Sequence, residues 1–480
     1  MLTGGVLRRI SRIASAAFLW FLLVQALGFS QNDAPAAHRS GPERPNILLI
    51  SIDSLRADHL HCYGYDRPTS PTIDGLATEG TLFQTCVAPT SWTLPSHLTM
   101  LTGLPPEEHG VFWDRAAIGP QAVFLAEVLK DSGYATAGFA SGPYLGGSFG
   151  FTQGFDVYDE SVIKGSWESH RGSTSPTTIG LVQTWLEAWS EGGKQKPFFL
   201  FVHMWDVHYD YAPPSPYNTL FDPHYSGTIT ADNYALGDHV HPDMDARDLE
   251  HVIALYDGEI RYTDRHLGQL LDSLKGLEVF EQTITVVTSD HGDEFFEHGQ
   301  KGHRNALYDE SLLVPLIFRY PARVAAGRVI GPQVRLMDLP VTLLSLAGVE
   351  IPENFGTPRP KVQYAERDLA VWMRPGGSAA KSWNELYAFS ELERLQASIR
   401  THRYKLIQNL LLPDQVELYD LVQDPGERKN LVEENPDLAA HLEQQLQSWR
   451  VNFESSGDLA LQHQLSENQI RRLKFLGYLE

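Results

Sequence analysis

The 480-residue chain is 42% hydrophobic, 11% aromatic and 20% charged, which is the composition of a globular protein with enough apolar material for a large core. It carries 60 acidic and 38 basic residues, a formal net charge of −22. This charge excludes nucleic acid as a favoured partner, because phosphate backbones bind to basic surfaces. A small anionic substrate stays compatible with it, provided that metals or local arginine and lysine residues supply positive charge.

The first 30 residues have the pattern of an export signal. Three arginines within residues 8–12 precede an apolar run over 13–29, and a polar linker over 31–43 follows. The sequence therefore predicts an exported protein, periplasmic or extracellular. A retained membrane anchor through residues 13–29 is the alternative, since the run approaches the roughly 18 residues that a spanning helix needs.

Several apolar runs predict buried strands in the first two thirds of the chain. These strands are residues 45–53, 134–139, 197–203, 283–289 and 314–318, and helices are predicted over 122–131 and about 248–274. Alternation of buried strands with helices predicts a three-layer α/β sandwich, with a mostly parallel central sheet covered on both faces. In such a sheet, ligands bind beyond the carboxyl ends of the strands.

Beyond about residue 350 the pattern changes to short segments separated by turns. Residues 387–390, 397–400, 404–408 and 416–420 predict a small antiparallel sheet. A helix is predicted to begin at Pro436, with Asn435 as its N-cap and an apolar face that packs on this sheet. The predicted organisation is a catalytic domain over 44–350, a smaller α+β subdomain over 351–455, and a tail over 456–480.

Cys62 and Cys86 are the two cysteines of the chain. Export would permit a disulfide between them, but one pair in a chain of this length is weak evidence for a bridge, and two separate thiols are the favoured interpretation. Because neither cysteine belongs to a Cys-x-x-Cys pair, no zinc–thiolate site is predicted.

Acids and histidines follow three of the predicted buried strands. They are Asp53 after the first, Asp206 and His208 after the strand at 197–203, and Asp290 and His291 after the strand at 283–289. Since the carboxyl ends of parallel strands lie at one edge of a sheet, we expect these side chains to meet. Carboxylates and imidazoles are common metal ligands, so the sequence predicts a metal site at this edge.

Thr93 begins a predicted helix that has Pro95 in its first turn. This places a hydroxyl at a helix N-terminus, where unpaired N–H groups and the helix dipole favour an anion. The alternative is that Thr93 only caps the helix. Downstream, a glycine-containing loop holds Lys301, His303 and Arg304, and such a loop can supply a metal ligand and bind a doubly charged oxyanion.

Taken in order, these segments resemble the sulfatase family, within the alkaline-phosphatase superfamily. The resemblance runs from about residue 45 to residue 449, and its motifs are residues 46–58 with Asp53 and Arg56, the Thr93–Gly103 signature, Asp206-Val-His208, Ser289-Asp290-His291-Gly292-Asp293, the segment from His303 to Glu310, and residues 417–431. It implies a metal-dependent hydrolase with an alkaline-phosphatase-like catalytic domain, acting on an ester of a tetrahedral oxyanion.

The resemblance also implies the composition of the site. One or two divalent ions, zinc, manganese or calcium, are expected. One ion would be bound by Asp53, Thr93, Asp290 and His291, and the other by Asp206, His208 and His303. Catalytic roles are implied for Thr93, His208, His303 and Arg56, and substrate contacts for Lys301, Arg304 and His97.

Three positions depart from the family pattern. Thr93 stands where the family has a cysteine or serine that is oxidised to formylglycine, His97 replaces an arginine, and Ser54 replaces a second acid. Threonine cannot become formylglycine, because its Cβ carries a methyl group. A metal-bound threonine alkoxide instead resembles the nucleophile of phosphodiesterases and phosphotransferases in the superfamily, and would form a phosphothreonine that water hydrolyses.

The expected substrate is therefore a small anionic ester, with phosphate and phosphonate esters ahead of sulfate esters. Three alternatives stay open: a sulfuric ester hydrolase that works without formylglycine, a membrane-associated transferase of phospho-headgroups, and a binding protein that has lost catalysis. A single apolar segment argues against the transferase. The presence of Asp53, Asp290 and His291 argues against the loss of catalysis.

A fusion of residues 1–40 to a reporter that is active only after export tests the predicted location. The fusion should be active, because the basic start and the apolar run direct the chain across the membrane. A control fusion with Leu22→Asp and Leu23→Asp interrupts the apolar run and should lose reporter activity. A native fusion whose reporter stays inactive in the cytoplasm would rule out export.

Overall fold

A mixed sheet at the centre of the fold has nine strands within the described part of the chain. The computed structural model describes residues 44–163, 174–232, 234, 237–355, 367–377, 387–454 and 459–462. The predicted signal or anchor over 1–30 and the linker over 31–43 lie outside these residues. Among the residues that are described, no helix is both long enough and apolar enough to span a membrane.

The elements are numbered in chain order. The strands are β1 (Asn46–Ile52), β2 (Thr81–Val87), β3 (Ala116–Ile118), β4 (Ala135–Phe139), β5 (Val157–Asp159), β6 (Phe198–Met204), β7 (Thr283–Thr288), β8 (Glu294–Phe295), β9 (Lys301–Gly302), β10 (Leu313–Arg319), β11 (Arg328–Ile330), β12 (Val334–Arg335), β13 (Ala388–Leu392), β14 (Gln396–Arg400), β15 (Tyr404–Asn409), β16 (Val416–Asp420) and β17 (Ala460–Gln462). The α-helices are α1 (Pro71–Glu79), α2 (Thr93–Thr102), α3 (Pro106–His109), α4 (Leu125–Asp131), α5 (Ser175–Glu191), α6 (Tyr217–Leu220), α7 (Ala246–Gly276), α8 (Asp309–Leu312), α9 (Leu339–Ala347), α10 (Ala370–Met373) and α11 (Pro436–Glu454).

The large sheet is parallel except at one strand. Its order is β11-β2-β10-β7-β1-β6-β4-β5, and β12 also pairs with β2. Strand β10 runs antiparallel to both of its neighbours, β7 and β2. A parallel crossover needs about a dozen residues or more, usually a helix. Between Thr288 and Leu313 the chain forms only the short β8–β9 ribbon and the four-residue helix α8, so it returns in the opposite direction.

Residues of the central strands alternate between two hydrophobic cores. In β1, Ile47 and Leu49 belong to one core, whereas Leu48 and Ile50 belong to the other. The first core also contains residues of α2, α4 and α9, and the second contains residues of α1, α5 and α7. Because successive strand residues face opposite sides of a sheet, a strand covered on both sides is apolar throughout. The predicted three-layer α/β fold is confirmed.

The C-terminal region contains the predicted antiparallel sheet. Among the described residues, β13, β14, β15 and β16 pair in this order as a four-stranded sheet, and α11 packs on it. The buried residues of their shared core are Ala397, Ile399, Leu406, Leu418, Ala439, Leu442 and Leu446. Strand β17, from the segment predicted as a tail, pairs with β3. The domain boundaries themselves stay predictions. Cys62 and Cys86 are free thiols, as favoured above.

A buried ion network joins the small sheet to the start of α8. The Asp309 carboxylate pairs with Arg400 at 2.8 Å and with Lys405 at 2.9 Å. Lys405 also lies 3.0 Å from Glu427, whose carboxylate accepts a hydrogen bond from the Asp309 amide at 2.6 Å. Burial alone would raise the pKa of Asp309, but the two cations outweigh it and hold that pKa well below its usual range. The network fixes the segment that precedes β10 onto the C-terminal sheet.

Two carboxyl groups meet where α3 packs on α11. Glu107 accepts a hydrogen bond from Trp449 Nε1 at 3.2 Å, and Glu391 accepts one from Arg450 Nε at 3.1 Å. The second Glu107 oxygen, Oε2, is buried and has no hydrogen-bond partner among the described residues. Burial and the neighbouring Glu391 raise the pKa of Glu107 from 4.5 to about 8. Glu107 is therefore protonated in the folded protein at neutral pH.

Glu107→Gln is expected to stabilise the protein in the alkaline range. A carboxyl group whose pKa is higher in the folded state supports folding fully below its unfolded pKa, near 4.5, and this support is lost as the pH rises toward about 8. A neutral amide does not ionise and keeps its support at high pH. The unfolding free energy of the variant minus that of the wild type should therefore be about 1–3 kcal/mol larger at pH 8 than at pH 5. Urea unfolding at both pH values measures this. The exposed control Glu353→Gln should show no such gain, and an unchanged difference for Glu107→Gln would contradict the assignment.

Candidate active site

The carboxyl ends of adjacent strands β1 and β7 bring together four of the residues predicted from the sequence. Asp53 follows β1, and Asp290 and His291 follow β7; one ligand atom from each lies within 4.8 Å of the others. Thr93 Oγ1, at the start of α2, lies 3.3 Å from His291 Nε2. Three of these side chains are fully buried and Thr93 is 1% exposed. The residues that follow β1 and β7 therefore converge as the sequence predicts.

The turn after β1 orients the two carboxylates. Ser54 has φ 57, and from this left-handed conformation its hydroxyl donates to Asp53 Oδ1 at 3.0 Å. Its amide donates to Asp290 Oδ1 at 3.2 Å. Ser54, which replaces the family's second acid, thus contributes hydrogen bonds to both acids in place of a further negative charge.

In its neutral form, His291 presents an unprotonated nitrogen to the acids. Its Nδ1 lies 2.9 Å from the carbonyl oxygen of Gly292, and because a carbonyl only accepts, Nδ1 carries the proton of the neutral ring. Nε2 then faces Asp290 Oδ2 at 3.3 Å and Asp53 Oδ1 at 3.8 Å. A backbone carbonyl that fixes the tautomer in this way is typical of metal-ligating histidines.

The charges of this cluster need a compensating cation. Burial raises the pKa of Asp53 to about 7, although His291 opposes the shift. Burial lowers the pKa of His291, but Asp290 and Asp53 outweigh it and the net shift is upward. Asp290 Oδ2 is buried and accepts no hydrogen bond from the described residues. Two carboxylates, an imidazole nitrogen and a hydroxyl with an unsatisfied oxygen among them fit a divalent metal ion.

His203 was not predicted as a site residue. It is the penultimate residue of β6, and its Nε2 lies 3.1 Å from Asp53 Oδ2. Burial lowers its pKa to about 4, so the ring is neutral. Its position at the carboxyl end of a strand beside β1 is the signal that could have identified it, since β6 pairs directly with β1.

His97 lies inside the protein and bonds to the start of helix α2. Its Nδ1 donates to the carbonyl oxygen of Thr93 at 2.9 Å, and its Nε2 lies 2.9 Å from the hydroxyl of Ser51. Burial lowers its pKa to about 4. Both ring nitrogens of His97 therefore have protein partners, and its contact with substrate stays a prediction.

The predicted second metal set is not assembled. Asp206 accepts hydrogen bonds from Thr174 and from the Ser175 amide at the N-terminus of α5. The first N–H groups of a buried helix have no partner within it, and here the Asp206 carboxylate satisfies them. His208 does lie near His303, with ring centroids 4.9 Å apart.

Asp293 takes the place that the sequence assigned to Asp206. Its Oδ1 lies 2.6 Å from His303 Nδ1, and its Oδ2 accepts a hydrogen bond from the Tyr211 hydroxyl. His291, Asp293 and His303 offer ligand atoms within 4.8 Å of one another. Both Asp293 oxygens are already bonded, however, so the group fits a carboxylate that orients His303 better than a second metal site.

The cations predicted to act in catalysis (Arg56) or to contact substrate (Lys301 and Arg304) all have protein partners. Arg56 pairs with Asp58 and Glu297, Lys301 donates to the carbonyl oxygens of Gly237 and Val240 at 2.7 Å, and Arg304 pairs with Asp114 and Glu393. A guanidinium or ammonium group that is neutralised in this way binds an added anion less strongly.

Comparisons with known proteins agree with this architecture. Residues 45–349 match the sulfatase family model, and residues 297–452 match the model described as N-sulphoglucosamine sulphohydrolase, C-terminal. An N-acetylglucosamine-6-O-sulfatase of Bacteroides thetaiotaomicron is 25% identical, and the alignment covers 85% of this chain and 86% of the relative. Human iduronate 2-sulfatase is 27% identical over 65% of this chain and 70% of the relative.

Two solved structures share the fold. One, in complex with its substrate D-glucosamine-2-N,6-O-disulfate, has a TM-score of 0.71 at 20% identity and covers 87% of this chain and 99% of its own. The phosphonate monoester hydrolase of Agrobacterium radiobacter has a TM-score of 0.67 at 23% identity, over 85% of this chain and 96% of its own.

Asp290→Ala tests the metal cluster. Loss of a residue that only hydrogen-bonds to a metal ligand lowers metal affinity roughly 10- to 100-fold. Because Asp290 would bind the ion directly, its removal should lower the affinity for divalent metal by more than this, while the fold persists. Metal content by mass spectrometry and circular dichroism of the purified variant are the measurements. Asp206→Ala is the matched control, because it removes another buried acid that lies outside the cluster, and this variant should keep its metal. Full metal occupancy in Asp290→Ala would overturn the assignment.

Proposed function

Because the chain belongs to the sulfatase family, and is thus a hydrolase, we propose that it uses Thr93 as a metal-activated nucleophile on phosphonate and phosphate esters. The observation that carries the proposal is the position of Thr93 Oγ1, 3.3 Å from His291 Nε2 beside a buried pair of acids. Asp53, Thr93, Asp290 and His291 would bind the ion. When bound, it would lower the pKa of the Thr93 hydroxyl and polarise an oxygen of the substrate.

The reaction proceeds through a covalent adduct on Thr93. Its Oγ1 forms a bond to the phosphorus, the bond between phosphorus and the ester oxygen breaks, and the leaving alcohol departs with a proton. Water then hydrolyses the phosphothreonine. The N-terminus of α2 faces the charge that develops on the oxyanion. His303, held by Asp293, is the imidazole available for proton transfer at the edge of the cluster.

The chemistry of threonine favours phosphorus over sulfur. A formylglycine hydrate can release sulfate by collapsing to the aldehyde, whereas a sulfated Thr93 has no second hydroxyl on its Cβ from which to do so. A sulfated threonine would depend on attack by water at sulfur. Sulfate ester hydrolysis is nevertheless the second candidate, supported by the likeness to the N-acetylglucosamine-6-O-sulfatase and to iduronate 2-sulfatase.

The charge around the site favours esters that carry one negative charge. The guanidinium groups of Arg56 and Arg304 are each paired with two carboxylates, and Lys301 is bonded to backbone carbonyls. Little positive charge is left for a second negative charge on the substrate, and the net charge of −22 repels it further. Phosphonate monoesters and phosphate diesters carry one charge at neutral pH, so we expect them to be better substrates than phosphate monoesters.

We also propose that the enzyme acts outside the cytoplasm. The arginine-rich start and the apolar run over 13–29 support this location. The partner of the site is a small anionic ester.

Substitutions at Thr93 test the nucleophile. Thr93→Ala should lower kcat by at least about 10³-fold, because no covalent adduct can form, and Thr93→Ser should keep part of the activity, because a primary alcohol can attack. Mass spectrometry of quenched wild-type enzyme should detect a phosphoryl adduct on the peptide that holds Thr93. The matched control is Ser91→Ala, which removes a buried hydroxyl two residues away and should keep most activity. Turnover by Thr93→Ala at a rate near that of the wild type would show that another group attacks, with Ser91 and Ser96 the next candidates.

A panel of nitrophenyl esters tests the substrate class. The ratio kcat/KM should be highest for the phosphonate monoester or the phosphate diester, and lower for the phosphate monoester and the sulfate. If kcat/KM is highest for a sulfate ester, the function is sulfuric ester hydrolysis. In that case Thr93→Cys, produced in a host with a formylglycine-generating enzyme, should raise sulfatase activity further.

A further inference from the structure

We propose that Arg304 is a positioning residue. It holds residues 88–92, which lead into Thr93 and are called the nucleophile segment below, against the loop that carries His303. Glu393 of the C-terminal sheet is required for this role. The inference rests on the proposed function of Thr93. It differs from the role that the sequence suggested for Arg304, which was contact with the substrate oxyanion.

The backbone of Arg304 joins two parts of the active site. Its amide donates to the carbonyl oxygen of Ser91 at 2.9 Å, and Ser91 lies two residues before Thr93. The preceding residue is His303, whose ring is held by Asp293. Arg304 has φ 66, a left-handed conformation that residues with a side chain rarely adopt. One strained residue thus connects the nucleophile segment to the His303 loop.

The side chain of Arg304 strengthens the same connection. Its guanidinium lies over the ring of Trp92, 4.1 Å from the centroid, and Trp92 directly precedes Thr93. The Trp92 ring is 99% buried, so the cation has no water on that side. A shift of Arg304 would therefore move both the backbone and the side chain that lead into α2.

Two carboxylates saturate the guanidinium. Asp114 accepts hydrogen bonds from Nη1 at 2.7 Å and from Nη2 at 3.0 Å, and Glu393 accepts one from Nε. The Tyr144 hydroxyl also donates to Asp114, which fixes this acid. The group of one cation and two anions has a net negative charge. A substrate oxyanion would have to displace a carboxylate from a bidentate pair, which makes Arg304 a poor binding group for the substrate.

Glu393 comes from the turn between β13 and β14, far from Arg304 in sequence. Glu393 and Arg394 have φ 50 and 56, so this turn also holds two non-glycine residues in the left-handed region. Arg394 lies over the ring of Phe112, 4.7 Å from the centroid, next to the segment that carries Asp114. The turn therefore contacts both the arginine and the segment of its other anionic partner.

The rest of β13 contacts the nucleophile segment directly. The Ser390 hydroxyl donates to the carbonyl oxygen of Ala88 at 2.8 Å, and the Glu391 amide donates to that of Pro89 at 3.0 Å. With the contact of Arg304 to Ser91, these bonds attach residues 88–92 to elements outside the large sheet. Small displacements of a nucleophile lower the rate steeply, since about 1 Å can change it by two orders of magnitude. The C-terminal sheet thus contributes to the rate without contacting substrate.

A double-mutant cycle between Arg304 and Glu393 tests the inference. We expect Arg304→Gln and Glu393→Gln each to lower kcat by about 10- to 100-fold, and the double variant to be no worse than the poorer single variant. KM should change by less than about threefold for the phosphate monoester and for the diester alike, because neither side chain binds the substrate. Arg304→Lys keeps the charge and should restore part of kcat.

Controls separate positioning from general loss of structure. Arg403→Gln breaks a more exposed arginine–carboxylate pair, with Asp420, at the edge of the same small sheet and should leave kcat unchanged. Metal content and the melting temperature are measured for every variant, and a decrease in kcat at wild-type metal content in a folded variant supports positioning. Adduct formation on Thr93, measured after rapid quench, should slow in parallel with kcat.

Two results would overturn the inference. A rise in KM that is larger for the doubly charged substrate, with kcat unchanged, would make Arg304 an oxyanion-binding residue. Wild-type kcat in Glu393→Gln, or independent effects in the cycle, would remove the C-terminal sheet from the site. Failure of the proposed function is distinct, because it would be seen as activity in Thr93→Ala, whatever the Arg304 and Glu393 variants do.

Discussion

Three carboxyl groups, those of Asp53, Asp290 and Asp293, are fully buried in one small cluster. Several negative charges buried away from solvent are unfavourable unless cations or hydrogen bonds compensate them. The register of β1 against β7 sets Asp53 and Asp290 side by side, and the hydroxyl and amide of Ser54 bond to both. The neighbouring histidines and the proposed metal ion would compensate the same buried negative charge. Fold and chemistry are therefore coupled through this cluster.

Much of this arrangement follows from local sequence patterns. Continuous apolar runs identify strands that are covered on both faces, and an acid directly after such a run marks the edge where ligands bind. For this reason the sequence places Asp53, Asp290 and His291 together, whereas Thr93 joins them only through the resemblance to the sulfatase family. The antiparallel C-terminal sheet and α11 were equally accessible, because turns and helical spacing are local signals.

Two features differ from the sequence prediction: the capping of α5 by Asp206 and the pairing of Asp293 with His303. The first has a local signal in the sequence, and the second depends on residues brought together by the fold. Ile179 and Val182 repeat at helical spacing behind Pro176, and this pattern could have identified α5 and, with it, the capping role of Asp206. The pairing of Asp293 with His303 depends instead on how the β8–β9 ribbon folds back. No local pattern reveals which of several nearby acids will face a given histidine.

The hydrogen bond between Ser390 and Ala88 links residues that are 302 positions apart in the chain. Contacts of such long range form late, because the loop between them must first be closed. During synthesis, Thr93 and all strands of the large sheet are therefore made well before β13, which supports the segment that leads into α2. Chains that are interrupted before residue 390 retain the acids and the hydroxyl but lack this support. Under the proposed role of the C-terminal sheet, the full rate of hydrolysis would therefore be reached only when the last quarter of the protein has folded onto the first.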